Sequence, residues 1–363
     1  MKYYSANKTI LIASLMVGGL LSCKKNDNIE PLNNYQNIET INDPAVDIYE
    51  GGYFKKDYLI DVACYWKNGK QFSVTDQSQQ SQVFDILVNN GNVYLAGEFN
   101  YKPCYWINNE RFDIDSQGKI IAGFVSRIYL EQGKLYLLGN LNLANENNSR
   151  GFVWTKDGIN APEIKISDTR EAYVLDWDFA NNHYYIADYV NKIPGYGIDG
   201  WNNITVVDNG LGRPCNISLN NQDIYLSGIK ELLNSEYIWG YWMNGNFSSI
   251  NLPYLDGYIS EMILSPSTQV CLVGNHRKSA QDLAQKAAYW VDGVMNDLVS
   301  GDDQSNATDI AMNGTNMYIS GFRDGVQGGS GKITAGYWTD KNTWVGFNCL
   351  FYAVGTSIYL VKK

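Results

Sequence analysis

The chain of 363 residues has only two histidines, His183 and His276. His183 falls in a predicted hairpin turn and His276 follows a strand glycine, so the two belong to opposite rims of a sheet-built fold. That is too few for a histidine-rich metal site, and neither stands in a nucleophile-like setting for a catalytic triad. No Gly-rich phosphate loop appears. Basic residues are outnumbered, 28 Lys and Arg against 38 Asp and Glu, giving a net charge of −10 and a pI near 4.8. The footprint of nucleic-acid binding is therefore missing. The N-terminal apolar stretch from Ile10 to Leu21 is too short to span a bilayer comfortably. Six cysteines provide no disulfide framework. If Cys23 is set aside, an odd set of Cys64, Cys104, Cys215, Cys271 and Cys349 remains. Cys64 and Cys104 hold the same slot in successive repeats and read as small buried residues.

What the chain does have is one recurring phrase. A strand such as Val93-Tyr94-Leu95-Ala96-Gly97 is followed by a strand such as Cys104-Tyr105-Trp106, then by a turn with Asn and Gly. Anchored on the first residue of the Ile-Tyr strand, the copies start at Ile48, Val93, Leu135, Tyr184, Ile224, Val270, Met317 and Ile358, with gaps of 40 to 49 residues. Seven residues before each anchor stands another large apolar residue, such as Ile86, Ile263 or Phe351, as a tight hairpin of fixed register demands. A Trp follows in every copy but the last: Trp66, Trp106, Trp154, Trp201, Trp242, Trp290 and Trp338. A glycine column runs alongside, with Asp188 as its exception.

Each repeat divides into four short strands. Around Val93 these are Val83–Val88, Asn92–Gly97, Pro103–Ile107 and Arg111–Ile114. A unit of this size cannot cover both faces of its own sheet, whereas a ring of units can, with Trp as the wedge between them. The expectation is an all-β, seven-bladed β-propeller of four-stranded antiparallel blades, with eight blades as the alternative. The last hairpin is expected to complete a blade begun near the N-terminus. Glu50, in a slot that is otherwise apolar, places the Ile48 strand at an edge.

The order of strand, Gly turn, strand and Trp resembles the seven-bladed repeat propellers, WD-repeat proteins among them. The chain departs from them in its Tyr-Trp pairs and in lacking a Gly-His opening. Tyr65-Trp66-Lys67-Asn68-Gly69 resembles the Tyr-Trp-Asn-Gly repeat proteins of bacterial envelopes, a likeness that implies architecture and no activity. Thr339–Trp344 resembles the Asp-box of sialidase propellers but is one residue short and single, and it reads as a turn. At the N-terminus, Lys2 and Lys8 precede the apolar stretch, and Leu20-Leu21-Ser22-Cys23 resembles the lipobox of bacterial lipoproteins. That likeness implies a signal peptide over 1–22, a lipidated Cys23 heading a polar tether over 23–40, and a single propeller domain over 41–363. No Asp follows Cys23, which directs the expected location to the outer membrane of a Gram-negative cell, periplasmic or surface-exposed.

The expected function is a monomeric, non-catalytic scaffold that binds a protein or glycan at the cell envelope, without nucleic acid and touching the membrane only through its lipid. A propeller glycoside hydrolase or lyase using axial carboxylates is the alternative. Two sets of candidate residues follow. The residue before the conserved apolar position of each first strand faces the ring axis. These residues are Asp85, Arg127, Asp176, Asn216, Met262, Asp309 and Leu350, and the polar ones form a candidate ligand site able to attract a hard cation such as calcium. No other cofactor is implied. The second set lies on the rim built by loops Asn140–Arg150, Lys230–Ile238, Asn275–Lys286 and Arg323–Thr334, where His276, Arg277 and Lys278 form a basic cluster ahead of a short helix at Ser279–Gln285.

Overall fold

The computed structural model describes residues 43–363 except 57–58, 115–117, 145, 147, 159, 168–175, 181–182, 191, 202–203, 233–235, 253–256, 280, 282–283, 299–303, 325–331 and 348–351. Cys23, the segments expected to form a signal peptide and a tether, Cys349 and Leu350 lie outside the described residues. Among these residues there are 28 strands and no helix. Residues 279, 281 and 284 are bends and a turn where a short helix was expected.

The strands form seven antiparallel sheets of four, each a blade of a seven-bladed β-propeller. The first blade takes its innermost strand from the C-terminus: Ala353–Lys362 pairs with Val46–Lys55, followed by Asp61–Lys67 and Lys70–Ser73. The remaining six blades follow in chain order, with first strands Ser81–Asn89, Ile120–Glu131, Trp177–Ala180, Gly212–Asn220, Tyr258–Leu264 and Ser305–Asn313. The Ile48 strand is thus second in its blade and not at an edge. Ile358 lies opposite Glu50, just as Ile86 lies opposite Leu95. The C-terminal copy therefore supplies a first strand, where a second one was expected. Glu50 is fully buried, and burial, with the nearby Asp309 charge, holds its carboxyl far above the ordinary range. A buried acid is tolerated here as a neutral group in the space left by Gly355, where a Cβ would fall 1.6 Å from its Oε1.

Each Trp wedges against the preceding blade. Trp66 stacks on Phe347 of the seventh blade at 5.3 Å, and Trp154 meets Tyr105 of the second at 5.3 Å. Trp106, Trp242, Trp290 and Trp338 are similarly buried against the blade before their own. The fourth blade departs from the pattern. Its residue in the Trp position of the third strand is Gly197, opposite Ile186, and Trp201 reaches the same interblade core from the turn beyond.

The Tyr-Trp-x-Asn-Gly phrase has a local cause. Asn68 and Gly69 take left-handed φ values of 49° and 80°, as Asn244 and Gly245 do with 48° and 87°, closing two-residue turns between third and fourth strands. The Asn side chain then accepts the N–H of the anchor residue across the blade: Ile48 N to Asn68 Oδ1 at 2.8 Å, Val93 N to Asn108 at 3.0 Å and Ile224 N to Asn244 at 3.0 Å.

The glycine column faces a β-bulge in the first strand. At Gly97 a Cβ would stand 2.0 Å from the Gln82 carbonyl oxygen, and at Gly321 2.0 Å from that of Asn306. The bulges fall beside these contacts, between Val83 and Asp85 and between Ala307 and Asp309. A bulge inserts one unpaired residue and re-aims the side chain after it. That residue is the axial one.

Candidate functional site

In six of the blades the axial residue follows such a bulge. Aligned on the strand pairing, the members of the axial ring are Ser357, Asp85, Arg127, Asp176, Asn216, Glu261 and Asp309, one per blade. All are polar. Two differ from the sequence expectation. Met262 is opposite Leu272 in the apolar slot and only 2% exposed, so the sixth blade presents Glu261. The hairpin there is the reason. Four described hairpins between first and second strands close with two-residue turns, whereas residues 265–269 form a five-residue turn in the sixth blade. In the first blade the axial position belongs to Ser357, because the C-terminal strand is the inner one.

Each axial aspartate bonds to the next blade. Asp85 Oδ2 accepts the Ile128 N–H at 2.9 Å, Asp176 Oδ2 that of Ile217 at 3.1 Å, and Asp309 Oδ2 that of Ile358 at 2.9 Å. These amides lie on first strands, whose inner edge has no further strand to pair with. Bulge hydroxyls complete the joints: Thr308 Oγ1 donates to the Gly355 carbonyl at 2.9 Å, Thr356 Oγ1 to that of Val83 at 2.8 Å, and Ser260 Oγ to that of Ala307 at 2.8 Å. Ser357 Oγ lies 2.8 Å from both Asp85 Oδ1 and Asp309 Oδ2.

Arg127 crosses the ring. Its Nε donates to Asp176 Oδ1 at 2.7 Å and its Nη2 to Glu261 Oε2, while Asn216 Nδ2 reaches Glu261 Oε1 at 3.1 Å. The side chains of Arg127, Asp176 and Glu261 are 15%, 5% and 9% exposed. Burial opposes the Arg127 charge, but Glu261 and Asp176 outweigh it and hold the guanidinium well above its usual range. Asp85 is pushed up to about 6 by burial, partly offset by Arg127. Among the described residues no group of three or more His, Cys, Asp and Glu is arranged to hold a metal ion. The structure therefore brings Asp85, Asp309 and Ser357 together on one side and Asp176, Asn216 and Glu261 around Arg127 on the other.

The basic rim cluster separates. His276 is fully buried at the end of its strand, its Nε2 2.7 Å from Asp297 Oδ1. Arg277 is half-buried and Lys278 exposed, so the solvent-facing charge is mostly that of Lys278. His183 is at the opposite end of the blades, its Nδ1 2.6 Å from Asp199 Oδ2. One group outside both sets stands out. Glu98, 9% exposed, is lifted to about 7 by burial and by the Asp61 charge.

No protein-family model matches the chain, and no curated protein does. Among solved structures it is similar to a puromycin-hydrolyzing peptidase of Mycobacterium tuberculosis, with 7% identity, a TM-score of 0.52, and coverage of 79% of this chain and 49% of that one. TolB from Acinetobacter baumannii matches at 12% identity and a TM-score of 0.45, over 86% of this chain and 66% of that one. The Bacteroides ovatus Xyloglucan PUL GH43B matches at 10% and 0.35, over 66% of each. The chain thus spans about half the length of the peptidase. At these identities the likeness is one of fold.

Proposed function

We propose that this chain is a non-catalytic binding scaffold of the cell envelope, anchored by lipid on Cys23 in the outer membrane of a Gram-negative cell, and that it recognises a protein or glycan. One observation carries the reading. The axial acids, the residues a propeller hydrolase would need, are engaged in holding blades together: three aspartates on neighbouring amides and Glu261 on Arg127 and Asn216. A carboxylate bonded to a structural amide is poorly placed to shuttle a proton. Recognition then falls to the blade ends, where a rigid ring displays its loops. Leu20-Leu21-Ser22-Cys23 supports the anchor.

The hydrolase or lyase remains the second reading because of Glu98. A carboxyl near 7 beside the charge of Asp61 has the character of a general acid. Two experiments test the proposal. Labelled palmitate should enter the wild type and not Cys23→Ala, and an unmodified, secreted wild type overturns the anchor. Glycan arrays and pull-downs with the intact protein should return a ligand without turnover. Sugar release abolished by Glu98→Gln would replace the scaffold with the enzyme.

A further inference from the structure

A single hydroxyl joins the C-terminal strand to the blades on either side of its own. Ser357, on Ala353–Lys362, is 1% exposed. Its Oγ lies 2.8 Å from Asp85 Oδ1 of the second blade and 2.8 Å from Asp309 Oδ2 of the seventh. A hydroxyl carries one proton and donates it once. If it points at Asp309, the contact with Asp85 sets oxygen lone pairs against each other, and the reverse holds if it points at Asp85. Two contacts of ordinary hydrogen-bond length on one hydroxyl therefore need a second proton, and here a carboxyl is the group able to carry it.

The other partners of the two acids are all engaged. Asp85 accepts the Ile86 N–H on Oδ1 and the Ile128 N–H on Oδ2, each at 2.9 Å. Asp309 accepts the Ile310 N–H on Oδ1 at 2.7 Å and the Ile358 N–H on Oδ2 at 2.9 Å. Arg127 attracts both carboxyls from its place in the ring, but its Nε and Nη2 donate to Asp176 and Glu261 and its Nη1 lies 3.5 Å from the Ser126 carbonyl. Glu50, beside Asp309, is held far above its ordinary range by burial and adds no countercharge. Burial lifts Asp85 to about 6, a rise that Arg127 opposes and the Asp309 charge reinforces.

We infer that Asp85, Ser357 and Asp309 share one proton and form a pH-sensitive clasp across the seam of the ring. With the proton in place, a chain of two hydrogen bonds runs from the second blade through the C-terminal strand to the seventh. When the proton leaves for solvent, two negative charges flank one hydroxyl on the strand that closes the propeller, and the seam loosens. The inference is independent of what the scaffold binds.

The test is urea unfolding of the full-length protein from pH 4 to pH 8, wild type against Asp85→Asn and Asp309→Asn. An acid at about 6 in the folded state and ~3.9 in the unfolded one contributes fully below about pH 4. The contribution is lost as pH rises through 6, and amounts to about a hundredfold in the folding constant. Acids away from the clasp, Glu98 among them, titrate alike in all three proteins and cancel from the ratios. Each Asn variant should gain most of that hundredfold on wild type between pH 4 and pH 8. In Asp85→Asn the amide cannot ionise, and in Asp309→Asn the remaining carboxylate takes the hydroxyl proton for itself. A ratio that stays flat with pH in either variant overturns the sharing; flat in Asp309→Asn alone, it gives the proton to Asp85 by burial only. Hydrogen exchange of the wild type needs no substitution. Corrected for intrinsic rate, the amides of Ala353–Lys362 should lose protection between pH 5 and pH 8 ahead of those of Gly212–Asn220 in the fifth blade. Equal losses overturn the placement of the switch at the seam.

Discussion

Replacing Arg127 with Met is the most informative perturbation of the axis. Met keeps much of the side-chain volume and removes the guanidinium that faces Asp176 at 2.7 Å and Glu261 beside it. All three side chains are at most 15% exposed, so solvent screens the pair weakly. Removing one partner of a buried ion pair costs about 3–5 kcal/mol, because the remaining charge is left uncompensated. At about 2.1 cal/mol/K of unfolding entropy per residue, a ring of roughly 320 residues should melt about 4–7 °C lower. The assay is differential scanning calorimetry at neutral pH, with the double variant Arg127→Met/Glu261→Gln alongside. The double variant should recover part of the loss, since one of the two stranded charges is gone. A single variant that melts within about 1 °C of wild type would refute a stabilising role for the bridge.

Glu98→Gln tests the raised carboxyl. A folded value of about 7 lies above the unfolded ~4.3, so the folded state holds the proton more tightly, and this contribution is full below about pH 4 and lost as pH rises towards 7. In urea titrations the two proteins should match near pH 4, and the Gln variant should gain about 3–4 kcal/mol on wild type by pH 8; parallel curves would contradict the burial argument. Gly321→Ala pushes a Cβ to 2.0 Å from the Asn306 carbonyl and should cost about 3 kcal/mol by chemical denaturation, whereas a neutral result would mean the bulge can relax.

The blade pattern was legible because its causes are local. The Gly beside the bulge, the Asn that closes the third-to-fourth turn and the Trp wedge recur in sequence because the same contact recurs in each blade. One error came from treating one local distance as universal. The five-residue turn at 265–269 shifted the register and hid Glu261 behind Met262. The signal was present, since Ser265-Pro266-Ser267-Thr268 lacks the Asn-Gly character of the short turns. Ser357 was missed for a different reason: whether the C-terminal strand lies inside or outside Val46–Lys55 depends on a closure over some 300 residues, which periodicity does not encode. The axial acids were readable as a set, but their partners were not, because Ile128, Ile217 and Ile358 contribute backbone amides from neighbouring blades.

Ring closure by the C-terminal strand underlies the blade count, the axial ring and the place of Glu50. Val46 and Lys362 face each other in that pairing. Val46→Cys/Lys362→Cys, oxidised in the folded state and mapped by peptide mass spectrometry, should form the 46–362 disulfide within one molecule and raise the melting temperature. Thiols that stay free under oxidant in the folded protein, or that join only between molecules, would contradict the closure.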